Sequence, residues 1–88
     1  MRFVNLAMQA FVLAKIGKGF DREKVMEKLL SIDEVREVME MTGDIDLLVR
    51  VDVLDVERLM KTVLKIRSVE SIATTDTRVV LSVERAKV

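Results

Sequence analysis

The segment that decides the fold is "DREKVMEKLLSIDEV", from Asp21 to Val35, because much of its pattern recurs 34 residues later. The second copy, from Asp55 to Val69, reads "DVERLMKTVLKIRSV". Both copies begin with an aspartate suited to cap a helix, and both continue with apolar residues at helical spacing. We therefore predict two equivalent helices, Asp21–Ile32 and Asp55–Arg67. Their apolar faces should be formed by Val25, Met26, Leu29 and Leu30 and by Leu59, Met60, Val63 and Leu64, with both methionines in the core.

Segments rich in branched apolar residues flank each predicted helix. They are Met8–Ile16 and Val35–Thr42 in the first half, and Ile45–Val53 and Ile72–Val83 in the second. This composition is typical of β-strands. Gly43-Asp44 joins the halves and suits a two-residue type II′ hairpin, in which glycine takes the first central position. The order predicts a ferredoxin-like βαββαβ fold of the α+β class, with both helices on one face of a four-stranded antiparallel sheet.

The composition argues against several classes of function. We expect the 88 residues to form a single domain, 1–88, without a helix-turn-helix domain. The chain has neither histidine nor cysteine, so we expect no metal, no cofactor and no catalytic residues. Its 15 basic and 15 acidic residues cancel, which disfavours direct binding of nucleic acid. We recognise no membrane span or targeting signal and expect a cytoplasmic, non-enzymatic protein with no membrane partner.

The sheet face opposite the helices is predicted to be partly apolar. Alternation along the first strand places Phe11 and Leu13 there, and Leu48 of the third strand joins them. Half of all residues are hydrophobic, and a monomer does not tolerate a large exposed apolar patch. We therefore predict a homodimer in which two such faces pack together as an αβ-sandwich. A stable monomer with unusually apolar strands is the alternative.

Polar residues gather in the central turn and at the start of the last strand. An amino acid needs a carboxylate near its ammonium group and hydrogen-bond donors near its own carboxylate. Asp46 is suited to the first role, and threonine hydroxyls and the Gly43 backbone N–H to the second. The predicted ligand-binding residues are Thr42, Gly43, Asp44, Asp46, Thr74, Thr75 and Thr77. The 34-residue repeat aligns "TTDT" (74–77) with "EMTG" (40–43), which places both clusters at related ends of the sheet. The alternatives are that Gly43-Asp44 forms a simple turn, that Asp46 is only solvated, and that "TTDT" is the solvent-facing side of an edge strand.

From Ala10 to Leu81 the sequence resembles the effector-binding RAM domain of the Lrp/AsnC transcription-regulator family. The motifs that carry this resemblance are "SIDEVREV", "TGDID", "IRSVESI" and "TTDTRVVL". The resemblance implies sheet-to-sheet dimers that assemble into octamers or decamers, with an amino-acid effector bound between dimers by the turn and the threonines named above. The family turn often carries an aromatic residue where Ile45 stands. Only nine residues precede Ala10, so we expect a stand-alone domain whose further partner is a DNA-binding regulator of the family.

Two other functions remain open at this point. An ACT-like amino-acid-binding module shares the strand order, but its ligand would lie after the first strand, near Gly17 or Gly19. A small dimeric α/β-barrel enzyme would need a polar pocket between sheet and helices, where the sequence places apolar residues. The position of a bound amino acid would distinguish the ACT-like module from the RAM domain, and catalytic turnover would support the enzyme.

Overall fold

The computed structural model describes residues 8–87, in the predicted order of elements. The strands are β1 (Met8–Ile16), β2 (Val35–Glu40), β3 (Leu47–Val53) and β4 (Ile72–Val79), and the helices are α1 (Arg22–Leu30) and α2 (Val56–Arg67). The strands form one antiparallel sheet in the order β2-β3-β1-β4, which confirms the ferredoxin-like fold. Neither helix of the described residues is long and apolar enough to cross a membrane.

Both helices pack on the same face of this sheet. In register, Val12 of β1 lies opposite Val49 of β3, and both side chains are fully buried. The core consists of Ala10, Val12, Ala14, Leu47, Val49, Val51 and Val53 from the central strands, Val35 from β2, and Val25, Leu29, Leu59 and Ile66 from the helices. The predicted alternation along the two central strands is therefore confirmed.

Only part of each predicted apolar helix face is buried. Met26 packs partly against the core, whereas Met60 and Leu64 are each 63% exposed. A helix that packs on a single sheet buries the side chains that point at the sheet. No further layer of the described chain covers the side chains on the adjacent part of the helix surface. The prediction that Met60 fills the core is therefore wrong.

The structural repeat changes its spacing from 34 to 37 residues within the helices. The N-caps Asp21 and Asp55 lie 34 positions apart, but the C-caps Ser31 and Ser68 lie 37 apart, because α1 has 9 residues and α2 has 12. Each serine hydroxyl donates to the carbonyl three residues earlier at 2.6 Å. "TTDT" therefore corresponds to "EVME" (37–40), and its predicted equivalence to "EMTG" is wrong because nearly one helical turn is inserted before it.

The turn between β2 and β3 is longer than predicted. The N–H of Met41 donates to the carbonyl of Asp46 at 2.9 Å, so four residues rather than two lie within this turn. Gly43 has a φ of +101°, as a glycine-dependent turn requires. β3 begins at Leu47 rather than at the predicted Ile45, and β2 ends at Glu40 rather than at Thr42. β4 ends at Val79 rather than at the predicted position 83, since its only neighbour is β1.

Candidate functional site

The predicted site residues lie at one end of the sheet, on both sides of β1. The N–H of Asp46 donates to the carbonyl of Ala14 at 2.9 Å, and Thr75 is the register partner of Ala14 on the other side. Two strand spacings, about 10 Å, therefore separate the turn from the threonines. Thr75 lies on the helix-covered face and Thr74 on the uncovered face. Thr77 lies opposite Val12, two residues further from this end.

The carboxylate of Asp46 is bonded within the chain. Its Oδ2 accepts the backbone N–H of Ile16 at 2.8 Å, and its Oδ1 accepts the guanidinium of Arg22 at 2.9 Å. Arg22 also lies 3.5 Å from Glu40. These contacts tie the end of β1, the start of α1 and the turn together. Asp46 thus has a structural role that the sequence did not reveal, and its contact with an effector stays a prediction.

The tip of the turn carries the other predicted residues. Thr42, Gly43 and Asp44 are all exposed. In the range 8–87, neither the Thr42 hydroxyl nor the Asp44 carboxylate has a side-chain hydrogen bond or ion pair, in contrast to Asp46. Asp44 is therefore the turn carboxylate with oxygen atoms available to a ligand.

An open depression of about 360 Å³ lies beside the start of β4. It is lined by Arg67, Ile72, Ala73, Thr74 and Thr75. Two of these residues were predicted, whereas Arg67 was missed because a basic residue in the last turn of a helix is favourable without any ligand. Among the described residues Arg67 forms no ion pair, and the side chains of Thr74 and Thr75 form no hydrogen bond. The depression is therefore lined by one residue with a cationic side chain and by two threonines, which lie on opposite faces of the sheet.

A β-bulge explains the shape of this depression. Along β1, Ile16 pairs with Ile72 and Lys15 pairs with Thr74, so Ala73 is skipped. A bulge bends its strand and changes the direction of the side chains, and bulges are frequent beside functional sites. Because Ala73 carries only a methyl group, the space beside the bulge stays open.

Two neighbouring rows of the uncovered sheet face differ in chemistry. In register across the strands, the rows are Met39, Leu48, Leu13 and Asp76, and then Glu37, Arg50, Phe11 and Arg78. Phe11 is flanked by two arginines, an arrangement that favours cation–π contact, and Arg50 contacts Glu37 at 3.1 Å. The prediction that Phe11, Leu13 and Leu48 share this face is confirmed.

Comparisons with known proteins agree with the fold. The model of the Lrp/AsnC ligand binding domain matches residues 9–87. The HTH-type transcriptional regulator FL11 of Pyrococcus furiosus is 36% identical over 76 residues, which are 86% of this chain and 50% of that protein. The homocitrate synthase of Sulfolobus acidocaldarius is 32% identical over 74 residues, which are 84% of this chain and 16% of the enzyme.

A solved structure adds a ligand-bound relative. A transcriptional regulator of Neisseria meningitidis in complex with L-Met has a TM-score of 0.84 at 27% identity, over 94% of this chain and 55% of that chain. The chain thus spans about half the length of the two regulators and a much smaller part of the enzyme.

Proposed function

The chain belongs to the Lrp/AsnC ligand-binding domain family, and from this premise we propose that it is a non-enzymatic, oligomeric sensor of small amino-acid effectors. The observation that carries the proposal is the open depression with Thr74 and Thr75, at the end of a sheet whose other face is uncovered. The relatives support it, because similar segments occupy half of a transcriptional regulator and a small part of an enzyme. A module that binds an effector can regulate both a transcriptional regulator and an enzyme, whereas a catalytic role would not be common to the two. Family membership also favours this proposal over the ACT-like module.

The first step of the proposal is a homodimer through the uncovered sheet face. Two copies related by a twofold axis would bury Leu13, Leu48 and Phe11 of each chain. The charged residues at the strand edges, Asp76 and Arg78 among them, would then form the rim. An apolar centre with a polar rim is the usual anatomy of a stable interface. Dimers of this kind would associate further into octamers or decamers.

The second step places the effector between subunits. The depression is open on one side, so a neighbouring subunit would close it, and the turn projects from the same end of the sheet. The Asp44 carboxylate of the neighbouring subunit would accept the ammonium group of the effector, while Thr74 and Thr75 would donate to its carboxylate. Thr42 and Gly43 would shape the turn at this contact, and Asp46 would hold it in place. Thr77 lies further along the strand and would contribute least.

Light scattering on the purified chain tests the assembly. We expect a dimer or a larger particle at micromolar concentration, against 10.0 kDa for the single chain, and a change of mass when an amino-acid mixture is added. Leu13→Asp should reduce the particle to a monomer. Leu64→Asp is the matched control, because it makes the same change at an exposed leucine on the helix side. A wild-type monomer that no amino acid changes would refute the oligomeric sensor.

Calorimetric titration of the twenty L-amino acids tests the effector site. The double variant Thr74→Val with Thr75→Val keeps the side-chain shape but removes both hydroxyls, so it should weaken binding about tenfold or more. Thr77→Val serves as the control in the same strand and should bind almost as the wild type does. Equal isotherms for all three proteins would remove the threonines from the site.

A DNA-binding regulator of the family is the further proposed partner. Its ligand-binding domain would present a related sheet face, so mixed dimers with this chain are the expected form of contact. Native gels of this chain mixed with a tagged Lrp/AsnC regulator should show species of intermediate mobility. If only the two separate assemblies appear, even after joint refolding, hetero-assembly is excluded.

A further inference from the structure

The polar groups of the depression identify which part of an effector it holds. We propose that Arg67 binds the carboxylate group of the effector, and that this contact makes a free carboxylate obligatory for binding. The inference rests on the proposed effector function and deepens it. The motif "IRSVESI" contains Arg67 but assigns it no role, and only the structure places it beside Thr74 and Thr75.

The Arg67 guanidinium has no anionic partner in the part of the chain that the structure describes. Other arginines of the sheet and of α1 are paired: Arg22 with Asp46 at 2.9 Å, Arg36 with Asp52 at 3.6 Å, Arg50 with Glu37 at 3.1 Å and Arg78 with Asp76 at 2.9 Å. Arg67 instead lines an open depression that contains no carboxylate. This places a positive charge where residues 8–87 supply no anionic partner within ion-pair distance.

The equivalent place in the first half of the chain has the same bulge but different side chains. The register of β2 on β3 skips Arg36, just as that of β4 on β1 skips Ala73, and these two positions are 37 residues apart. At the first bulge, Arg36 and Glu37 carry long side chains that form ion pairs within the chain. The same backbone feature is therefore filled in β2 and left open in β4.

The donor groups that line the depression suit a carboxylate. A guanidinium group presents two parallel N–H donors that match the two oxygens of a carboxylate, and hydroxyl groups can add a third contact. Ile72 and Ala73 supply an apolar wall for an aliphatic side chain. The lining contains no acceptor that is ionised, so the ammonium group must be held from outside the depression.

A structural role for Arg67 makes a different prediction. A cation in the last turn of a helix stabilises the helix through its dipole, and lysine serves this purpose as well as arginine does. Lysine cannot reproduce the planar two-donor geometry. Arg67→Lys should therefore keep the thermal stability of the wild type and lose affinity for the effector. If Arg67 were purely structural, Arg67→Gln would instead lose thermal stability and keep its affinity.

The experiment uses the L-amino acid that gives the tightest binding in the panel, together with its carboxamide and its des-amino acid. On the wild type, the carboxamide should bind about 10- to 100-fold more weakly, and the des-amino acid should lose less. Arg67→Gln should lose a similar factor for the amino acid and no longer distinguish it from the carboxamide. Arg36→Gln, on the opposite edge strand, removes the same charge and should bind within about twofold of the wild type.

The outcomes separate this inference from the proposed function. If Arg67→Gln and Arg67→Lys bind the amino acid as the wild type does and still reject the carboxamide, the inference is overturned, while binding itself and the sensor function stand. If the wild type binds none of the twenty amino acids, both proposals are overturned together. Loss of affinity with unchanged stability in Arg67→Lys is the result that supports the inference.

Discussion

The two halves of the chain share a backbone plan but differ in how they treat their polar groups. In the first half, Arg22 at the start of α1 reaches Asp46, and Arg36 and Glu37 at the β2 bulge are both ion-paired. In the second half, the position of Arg22 is taken by the exposed Val56, and the β4 bulge carries Ala73 without such pairs. The comparison indicates that the charged side chains of the β2 bulge are paired within the chain, whereas the β4 bulge is open to contact with something outside the chain.

The largest effect should come from making the second bulge resemble the first. Ala73→Arg with Thr74→Glu transfers the residues of the β2 bulge, Arg36 and Glu37, to β4. Both changed positions are exposed on an edge strand, so the fold should survive, as circular dichroism would show. The new side chains should fill the depression and abolish amino-acid binding in calorimetric titration.

The reverse exchange provides the control for this variant. Arg36→Ala with Glu37→Thr removes two ion pairs at the first bulge and should lower stability slightly while binding is retained. If the β4 variant folds and binds with wild-type affinity, the depression is not the effector site.

The next largest effect should be a difference in stability between variants of the two turn carboxylates, Asp46 and Asp44. Asp46→Ala removes the acceptor of the Ile16 N–H and leaves the Arg22 guanidinium without its closest partner. We expect the free energy of unfolding, measured with urea, to fall by about 1–3 kcal/mol. Asp44→Ala is the matched control, which should leave stability unchanged and weaken only amino-acid binding. Equal stability of the two variants would contradict the structural role of Asp46.

A smaller effect should follow from the backbone of the turn. Gly43 has a φ of +101°, and a Cβ placed there would meet no atom within 4 Å. The cost of Gly43→Val should therefore come from the backbone alone, about 1–2 kcal/mol in the free energy of unfolding. Thr42→Val, one residue earlier, keeps the same shape without such a constraint and should unfold at the wild-type urea concentration. A Gly43→Val variant that is as stable as Thr42→Val would show that the turn accepts another conformation.

The fold could be predicted because its determinants are local. Asp21 and Asp55 cap the helices where the pattern placed them, and β1 has the predicted bounds. The site was predicted only in part, because its organisation depends on contacts between distant residues. The bond from Arg22 to Asp46 joins positions 24 residues apart, and no periodic pattern records it. The openness of the β4 bulge likewise appears only when its partner strand and the end of α2 are placed together.

The smallest effect should come from an ion pair that links the first half to α2. Glu34, just before β2, lies 3.3 Å from Lys65 of α2. A hydrogen bond from its own backbone N–H and the neighbouring Lys65 charge hold the pKa of Glu34 below its usual value of 4.5, although desolvation opposes them.

Because the pKa of Glu34 is lower in the folded state, its contribution is present above about pH 4.5 and is lost as the pH falls through the folded-state pKa. Glu34→Gln should therefore remove a pH-dependent part of the stability that amounts to less than about 1 kcal/mol, as expected for an accessible pair. Urea unfolding at pH 7 and pH 3 measures this difference. Lys65→Met should reduce it less, since the backbone hydrogen bond to Glu34 remains. If Glu34→Gln shows the same change between the two pH values as the wild type, the Glu34–Lys65 pair adds no pH-dependent stability, and the ion pairs that link the halves within residues 8–87 are those of Arg22, Arg36 and Arg50.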